Sequence, residues 1–351
     1  MSGRCCSARA CVSAGRARGC PARRCCLGEI QNSDYFPRTL IISRTRIPSK
    51  HSTKNETPRF QAWPSHATLL RVLLAPHHLI FTALEGALVD PHTDSFAGAE
   101  EALAELERRK IPFVLLTSRT REEIEPLRRK LGHNHPFVTE NGGGIFFPDG
   151  YFSLQIPGAV RTARYLSIAQ GRPYREVCEA LDEIAEACAV GVAGFHHMSL
   201  REIADNTGLR PRRAELARAR EFDEPFYFTT TDEKSIDRFV QAARERGFDT
   251  RRGRTFWHLS ARCDTARAVR TLAQLFREAT HIKLRLVGIG GSEEDLPWLR
   301  AIDHPVLLPD SREGAKATDL HAVSRGQRRA ISVGDAPGAA GWNKAILDII
   351  S

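Results

Sequence analysis

The sequence predicts an α/β fold, a doubly wound core around a parallel sheet with a smaller α+β unit inserted into it. Three observations predict this. Short, almost wholly apolar runs, such as residues 78–82 and 111–116, alternate with amphipathic stretches of helical period. Each run ends in a turn rich in glycine or hydroxyl residues, as the carboxyl end of a buried parallel strand does. Between about residues 151 and 253 the alternation lapses, and it resumes beyond that stretch.

In chain order, residues 78–82 read as a buried strand closed by the turn Glu85-Gly86-Ala87. Residues 95–110 have the apolar spacing of an amphipathic helix, with Ala99, Leu103 and Leu106 on one face. A second buried strand over 111–116 stops at Thr117-Ser118, and a helix over 121–131 is closed by Gly132. Phe137-Val138-Thr139 leads through Glu140-Asn141-Gly142-Gly143 into Ile145-Phe146-Phe147. The inserted stretch predicts a helix over 174–189, a turn at 191–194, a basic helix over 210–220, a strand over 226–229 and a helix over 233–246. The α/β rhythm is expected to resume at Trp257-His258-Leu259, followed by a helix over 265–277, a strand over 283–289 and a helix over 295–301. Residues 312–329, poor in large apolar side chains, predict a mobile loop before a final strand and helix over 330–350. The expected division is an extension over 1–77, a core over 78–150 and 254–351, and the inserted unit over 151–253.

Charge and cysteine are distributed unevenly. The chain of 351 residues carries a net charge of +9, but residues 1–77 hold 13 Lys and Arg against 3 Asp and Glu. The remaining residues carry 38 basic and 39 acidic groups, a balance of −1. A nucleic-acid-binding domain concentrates basic charge on a folded surface, so this distribution argues against one. Six of the nine cysteines lie in the first 26 residues, at spacings that form no paired zinc framework. The start is Arg-rich, Ser-containing and acid-poor, like an organellar transit peptide, and lacks the apolar segment of a secretory signal. The expectation is a disordered extension, with a product beginning near Leu70 or Val72 as the alternative. No run approaches the ~20 apolar residues of a membrane-spanning helix. The expectation is a cytoplasmic protein without membrane or nucleic-acid partners.

In a doubly wound sheet the chemistry lies beyond the carboxyl ends of the strands. The stretches to inspect are therefore 82–90, 117–118 and 288–295. His196, His197 and His258 have no carboxylate or thiol set spaced around them in sequence, and read as packed or solvated.

These strand ends, with a unit inserted between the second and third, resemble the haloacid dehalogenase superfamily, and more finely its mannosyl-3-phosphoglycerate phosphatases. The matching stretches run in order: IFTALEGALVD (80–90), LLTSRTREEIEPLRRKLG (115–132), ENGGGIFFPDGYF (140–152), MSLREIADNTGL (198–209), AREFDEPF (219–226), FWHLSARCDTARAV (256–269), VGIGGSEEDLPWLRAIDHPVL (287–307) and GWNKAIL (341–347). The resemblance implies a Rossmann-like core with a cap domain, Mg²⁺ as cofactor, and a phosphorylated sugar or glycerate derivative as substrate.

It also implies where the catalytic groups should stand. The family's Asp-x-Asp-Gly-Thr-Leu-x-Asp aligns with Ala83 to Asp90, so the nucleophile position is Ala83 and the acid/base position is Glu85. Glu85 reads either as a proton donor or as an exposed turn residue. The phosphate-holding hydroxyl is Thr117 or Ser118, and the family's Lys aligns with Thr265, with Arg267 as a displaced substitute. Of the magnesium-binding carboxylates, one is replaced by Gly291 and Asp295 remains, as a ligand or as a helix-capping residue. On the substrate side, Asn141, Gly142, Gly143, Arg220, Glu221 and Glu224 match the family. The expectation is a catalytically impaired relative. The alternatives are an active Mg²⁺-dependent phosphatase, or a protein that only binds a phosphosugar or a partner. Because such residues act as a unit, the substitutions Ala83→Asp, Glu85→Asp, Thr265→Lys and Gly291→Asp made together, and not singly, are expected to return turnover.

Overall fold

The computed structural model describes residues 77–253, 255–309 and 330–351. The extension over 1–76 and the loop expected at 312–329 lie outside the described residues. Strands β1 (His78–Ala83), β2 (Phe113–Leu116), β3 (Phe137–Thr139), β4 (Gly144–Pro148), β5 (Val160–Thr162) and β6 (Tyr165–Ala169) come first. Next are β7 (Val192–Gly194), β8 (Asp223–Phe228), β9 (Asp249–Arg252) and β10 (Trp257–Ser260). The last are β11 (Arg285–Gly290), β12 (His304–Leu307) and β13 (Ser332–Val333).

They form two sheets. The larger has the order β13-β12-β11-β1-β2-β3-β4-β6-β5, parallel from β13 to β3 and antiparallel beyond. Strand β1 lies in its interior between β11 and β2, and all six of its residues are buried, as a parallel strand covered on both faces requires. The register sets Ala83 beside Leu116 and Thr82 beside Ile289, so three strands end close together. Helices α1 (Glu100–Arg109) and α2 (Arg121–Lys130) follow β1 and β2. A capping box between Thr120 and Glu123 fixes the start of α2 immediately after the β2 end.

The smaller sheet is antiparallel, in the order β7-β8-β10-β9. It carries α3 (Tyr174–Cys188), α4 (Leu200–Thr207), α5 (Pro211–Arg218) and α6 (Glu233–Glu245). Val177, Leu181, Phe226, Phe239 and Leu259 belong to a hydrophobic core separate from that of the larger sheet. Three sequence expectations are corrected here. Residues 160–169, expected within the inserted unit over 151–253, form β5 and β6 and pair in the larger sheet. Trp257–Ser260 does not resume the parallel rhythm but pairs antiparallel with β8 and β9; only Leu259 is fully buried, as in a half-covered strand. The expected turn at 191–194 holds β7, where glycine permits close approach: a Cβ at Gly194 would collide with Glu224 Oε1.

The chain then enters α7 (Thr265–Thr280), capped by the Asp264 side chain. The short α8 (Leu296–Leu299) and the terminal α9 (Gly338–Ile350) complete the larger unit. Among the described residues, no helix is long and apolar enough to cross a membrane.

Candidate active site

Ala83 ends β1 with its methyl group buried, so residue 83 itself offers no side-chain heteroatom. The chain then turns back on itself: the Gly86 N–H donates to Val89 O (3.1 Å) and the Val89 N–H to Leu84 O (2.9 Å). Gly86 has φ +76°, a conformation that favours glycine. Glu85 projects from this turn toward β2. Thr117 Oγ1 donates to its carboxylate (2.9 and 3.0 Å to the two oxygens), and Arg119 Nε ion-pairs with it at 2.7 Å. Arg119 Nη1 continues to Asp94 Oδ1 (2.8 Å), which Arg213 Nη2 of α5 also reaches (3.3 Å). Burial opposes the charge on Arg119, but Glu85 and Asp94 hold its guanidinium above the ordinary value. Glu85 is therefore one end of an ion-pair chain running to α5, rather than a carboxyl with a free oxygen for a leaving group.

The third strand end closes against the first. A Cβ built on Gly291 would lie 2.5 Å from Gly86 C and 2.7 Å from Ala87 N. The β11 turn and the β1 turn touch backbone to backbone where a side chain at residue 291 would project. Asp295, four residues on, has both oxygens engaged. Its Oδ2 accepts from the Gly291 N–H (2.8 Å) and the Ser292 N–H (3.0 Å), and its Oδ1 from Trp298 Nε1 (2.9 Å). Burial pushes its carboxyl above the ordinary value, against those bonds. Mg²⁺ takes near-octahedral oxygens that include carboxylates. Ala83 and Gly291 offer none, and Asp295 caps the turn before α8, so these residues do not fit the magnesium ion that the resemblance implies.

The loop after β3 meets the start of β8 through buried charge. Glu140 is fully buried, and its carboxylate accepts the backbone N–H groups of Glu221 (3.0 and 3.2 Å), Phe222 (2.8 Å) and Asp223 (3.0 Å). Burial pushes its carboxyl up to about 7, against Arg220 and those N–H donors. Arg220 donates to Asp223 O (2.5 Å), Asp223 Oδ1 (2.7 Å) and Ser118 O (3.2 Å), and its Nε lies 3.7 Å from Glu140 Oε2. Asp223 also receives Asn141 Nδ2 (3.0 Å) and lies 3.0 Å from His258 Nδ1. Burial alone would raise the Asp223 carboxyl; Arg220 and then His258 hold it well below the carboxylate range.

A folded-state value below that of the unfolded chain means that the contribution of Asp223 to stability is complete above its ordinary value of 3.8. It is lost as pH falls below that value. Asp223→Asn is accordingly expected to lower stability at neutral pH, with the gap to the parent protein narrowing below about pH 4. Urea midpoints across a pH series measure this, and a gap independent of pH would mean that Asp223 acts by packing alone.

The structure brings Ala83, Glu85, Thr117, Ser118, Asn141, Gly142, Arg220, Gly291 and Thr265 into one region. Gly142 packs on the first turn of α7, where a Cβ would lie 2.5 Å from the Thr265 N, and a Cβ at Gly143 would lie 2.5 Å from Phe222 Cβ. Arg267 turns away to Gln170 Oε1 (2.6 Å), so it supplies no charge in place of Thr265. Ser118 is exposed, while Thr117 is buried on Glu85. Glu221 pairs with Arg121 at 3.0 Å. Glu224 lies elsewhere: fully buried, it faces α3, accepting from Tyr174 OH (2.5 Å) with His196 Nδ1 2.7 Å away. Against burial, Cys178 and Glu224 raise the His196 imidazole to about 10. Arg119, Asp94, Arg213, Glu140 and Asp223 fall outside the candidates that the sequence yields. Arg119, Glu140 and Asp223 have a local signal, as neighbours of Ser118, of Asn141 and of the Glu221–Glu224 stretch; Asp94 and Arg213 have none.

Comparison with known proteins gives a consistent result. Residues 80–154 match a family model described as haloacid dehalogenase-like hydrolase. A glucosyl-3-phosphoglycerate/mannosyl-3-phosphoglycerate phosphatase of Persephonella marina is 34% identical over 274 residues, which is 78% of this chain and 97% of that protein. A protein of the same name from Methanococcoides burtonii is 32% identical, with the same shares covered. Among solved structures, a haloacid dehalogenase-like hydrolase from Bacteroides thetaiotaomicron superposes with a TM-score of 0.52 at 16% identity, covering 78% of this chain and 99% of its own. A subclass IIB sugar phosphatase of the same superfamily also gives 0.52, at 15% identity, with 78% and 98% covered.

Proposed function

Because the chain belongs to the mannosyl-3-phosphoglycerate phosphatase family of haloacid dehalogenase-like hydrolases, we propose that it is a member that no longer hydrolyses a phosphate ester by the carboxylate route. The larger sheet serves as the core and the four-stranded unit as the cap. The observation that carries this reading is the joint state of the β1 and β11 ends. Ala83 offers no nucleophilic atom, and the backbone of Gly86 and Ala87 stands where a side chain at residue 291 would project. Phosphoryl transfer needs an in-line nucleophile, a proton donor and a cation on the developing charge. Here the first is a methyl group, the second is tied to Thr117 and Arg119, and the third has no carboxylate cage.

Loss of a nucleophile alone removes catalysis on the order of a millionfold. Purified protein with Mg²⁺ and mannosyl-3-phosphoglycerate or glucosyl-3-phosphoglycerate is expected to release phosphate no faster than the enzyme-free control. Mg²⁺-dependent release well above the control would overturn the reading. Binding of a phosphosugar without turnover is a second reading, and one observation favours it. Arg119 and Arg213 converge on a single oxygen of Asp94. A phosphate displacing that carboxylate would meet two guanidinium groups already in place. Calorimetry should then show binding that Arg213→Ala weakens, and an unchanged affinity in that variant would dismiss it.

A further inference from the structure

We propose that the smaller sheet and α3 form a binding site for a divalent transition-metal ion of the zinc type, held by Cys178 Sγ, His196 Nδ1 and Glu224 Oε1. Tyr174, Cys178 and Asp182 follow one another at intervals of four along α3 and so share one face of it. That face looks at the one-turn helix Phe195–His197 and at Glu224 on β8. One ligand atom from each of Cys178, His196 and Glu224 lies within 4.8 Å of the others. Sulfur, imidazole nitrogen and carboxylate oxygen are the donors zinc takes, and three protein ligands leave one position open to water.

The groups behind the three ligands are also in place. When a histidine binds metal through one nitrogen, the other normally donates to a carboxylate; His196 Nε2 lies 3.3 Å from both Asp182 oxygens. Glu224 Oε2 is held by Tyr174 OH at 2.5 Å and Oε1 accepts the His196 backbone N–H at 3.0 Å, which leaves the second lone pair of Oε1 to the metal. A thiolate, a carboxylate and a neutral imidazole around a divalent ion sum to zero charge, so burying the fully desolvated Glu224 there costs little. In the metal-free protein the His196 Nδ1 proton occupies this place, 2.7 Å from Glu224 Oε1. On binding, that proton and the Cys178 thiol proton pass to solvent as the N–metal and S–metal bonds form. Tetrahedral zinc spaces two such ligand atoms about 3.3 Å apart, so the His196 ring must back away by about half an ångström.

A second group, Asp182, His196 and His197, is also close enough to hold an ion. The hydrogen bonds argue against it. His197 Nδ1 accepts the Gly194 N–H (3.2 Å), which puts the ring proton on Nε2, pointing at Asp182 Oδ1 2.9 Å away. His197 thus has no lone pair to offer at that atom.

Cobalt(II) distinguishes the two, because only a thiolate ligand gives an intense near-ultraviolet charge-transfer band. The full chain is used, with Cys5, Cys6, Cys11, Cys20, Cys25 and Cys26 changed to Ser to silence the amino-terminal thiols. The band is expected to saturate at one equivalent of Co²⁺ and to survive His197→Ala. It should vanish in Cys178→Ser, and Zn²⁺ affinity should fall more than about tenfold in His196→Gln and Glu224→Gln. Should Cys178→Ser fail to fold, X-ray absorption of the zinc-loaded parent decides, with one sulfur expected at about 2.3 Å. No band at saturating Co²⁺, a band that persists in Cys178→Ser, or a zinc shell of nitrogen and oxygen only would each overturn the proposal.

Discussion

Arg220→Ala is expected to lower the free energy of unfolding by about 3–5 kcal/mol. The guanidinium is almost wholly buried, bonds to the β8 carboxylate Asp223 and to the Ser118 carbonyl at the β2 end, and has its Nε 3.7 Å from Glu140. Asp223 would keep His258 and, at 3.8 Å, Arg251, but Glu140 would lose the cation nearest to it. A carboxylate left buried without its partner costs far more than a surface pair gains. Arg220→Lys should recover only part of the loss, since one ammonium cannot reproduce a planar fork bonded to several oxygens. Arg175→Ala, which removes an exposed pair with Glu179, is the control and should change stability by less than about 0.5 kcal/mol. Urea unfolding of the three variants is the measurement. If Arg220→Ala unfolds like the parent yet loses phosphosugar affinity, the residue faces a ligand, as its place in the family pattern implies.

The difference between that implied role and the observed contacts shows what the sequence carries. Strands over 78–82 and 111–116 are legible because a strand covered on both faces is written as an unbroken apolar run. The proximity of Ala83, Glu85 and Thr117 follows, since the ends of adjacent parallel strands must meet. Trp257–Ser260 reads as part of the wrong sheet for a related reason. Four residues are too few to separate a half-covered antiparallel strand from a buried parallel one by period alone. The ion-pair chain from Glu85 to Arg213 is not legible, because its members are brought together by the fold and not by any spacing. The same holds for Cys178, His196 and Glu224, which come from a helix, a one-turn helix and a strand. Gly291 is the sharpest case. In sequence it reads as a missing carboxylate, whereas in the structure it is also the point where two turns touch.

That contact changes what repair of the site should achieve. Restoring Ala83→Asp, Glu85→Asp, Thr265→Lys and Gly291→Asp supplies each group that the family pattern lacks here, and side chains that act as a unit should return activity together. The structure adds a steric condition, because Gly291→Asp begins with a Cβ about 2.5 Å from Gly86 C, and the clash is with backbone, which no rotamer relieves. Gly291→Ala, which adds only that atom, is expected to destabilise the protein by about 1–3 kcal/mol, the usual cost of overpacking. Ala83→Asp, whose side chain starts from the neighbouring strand end, has no such backbone clash built into residue 291. The fourfold variant is therefore expected to lose stability with Gly291→Asp and to remain at background turnover, because the space for a metal-bound carboxylate is not there to be refilled. Thermal midpoints of Gly291→Ala and Gly291→Asp, with phosphate release by the fourfold variant in Mg²⁺, test the two halves separately. A neutral Gly291→Ala together with a fourfold variant that turns over would show that the β1 turn swings aside freely. The loss of activity would then lie in the side chains alone. A destabilising Gly291→Ala with an inactive fourfold variant would place the loss in the backbone as well, so that repair would have to begin with the turn at Gly86.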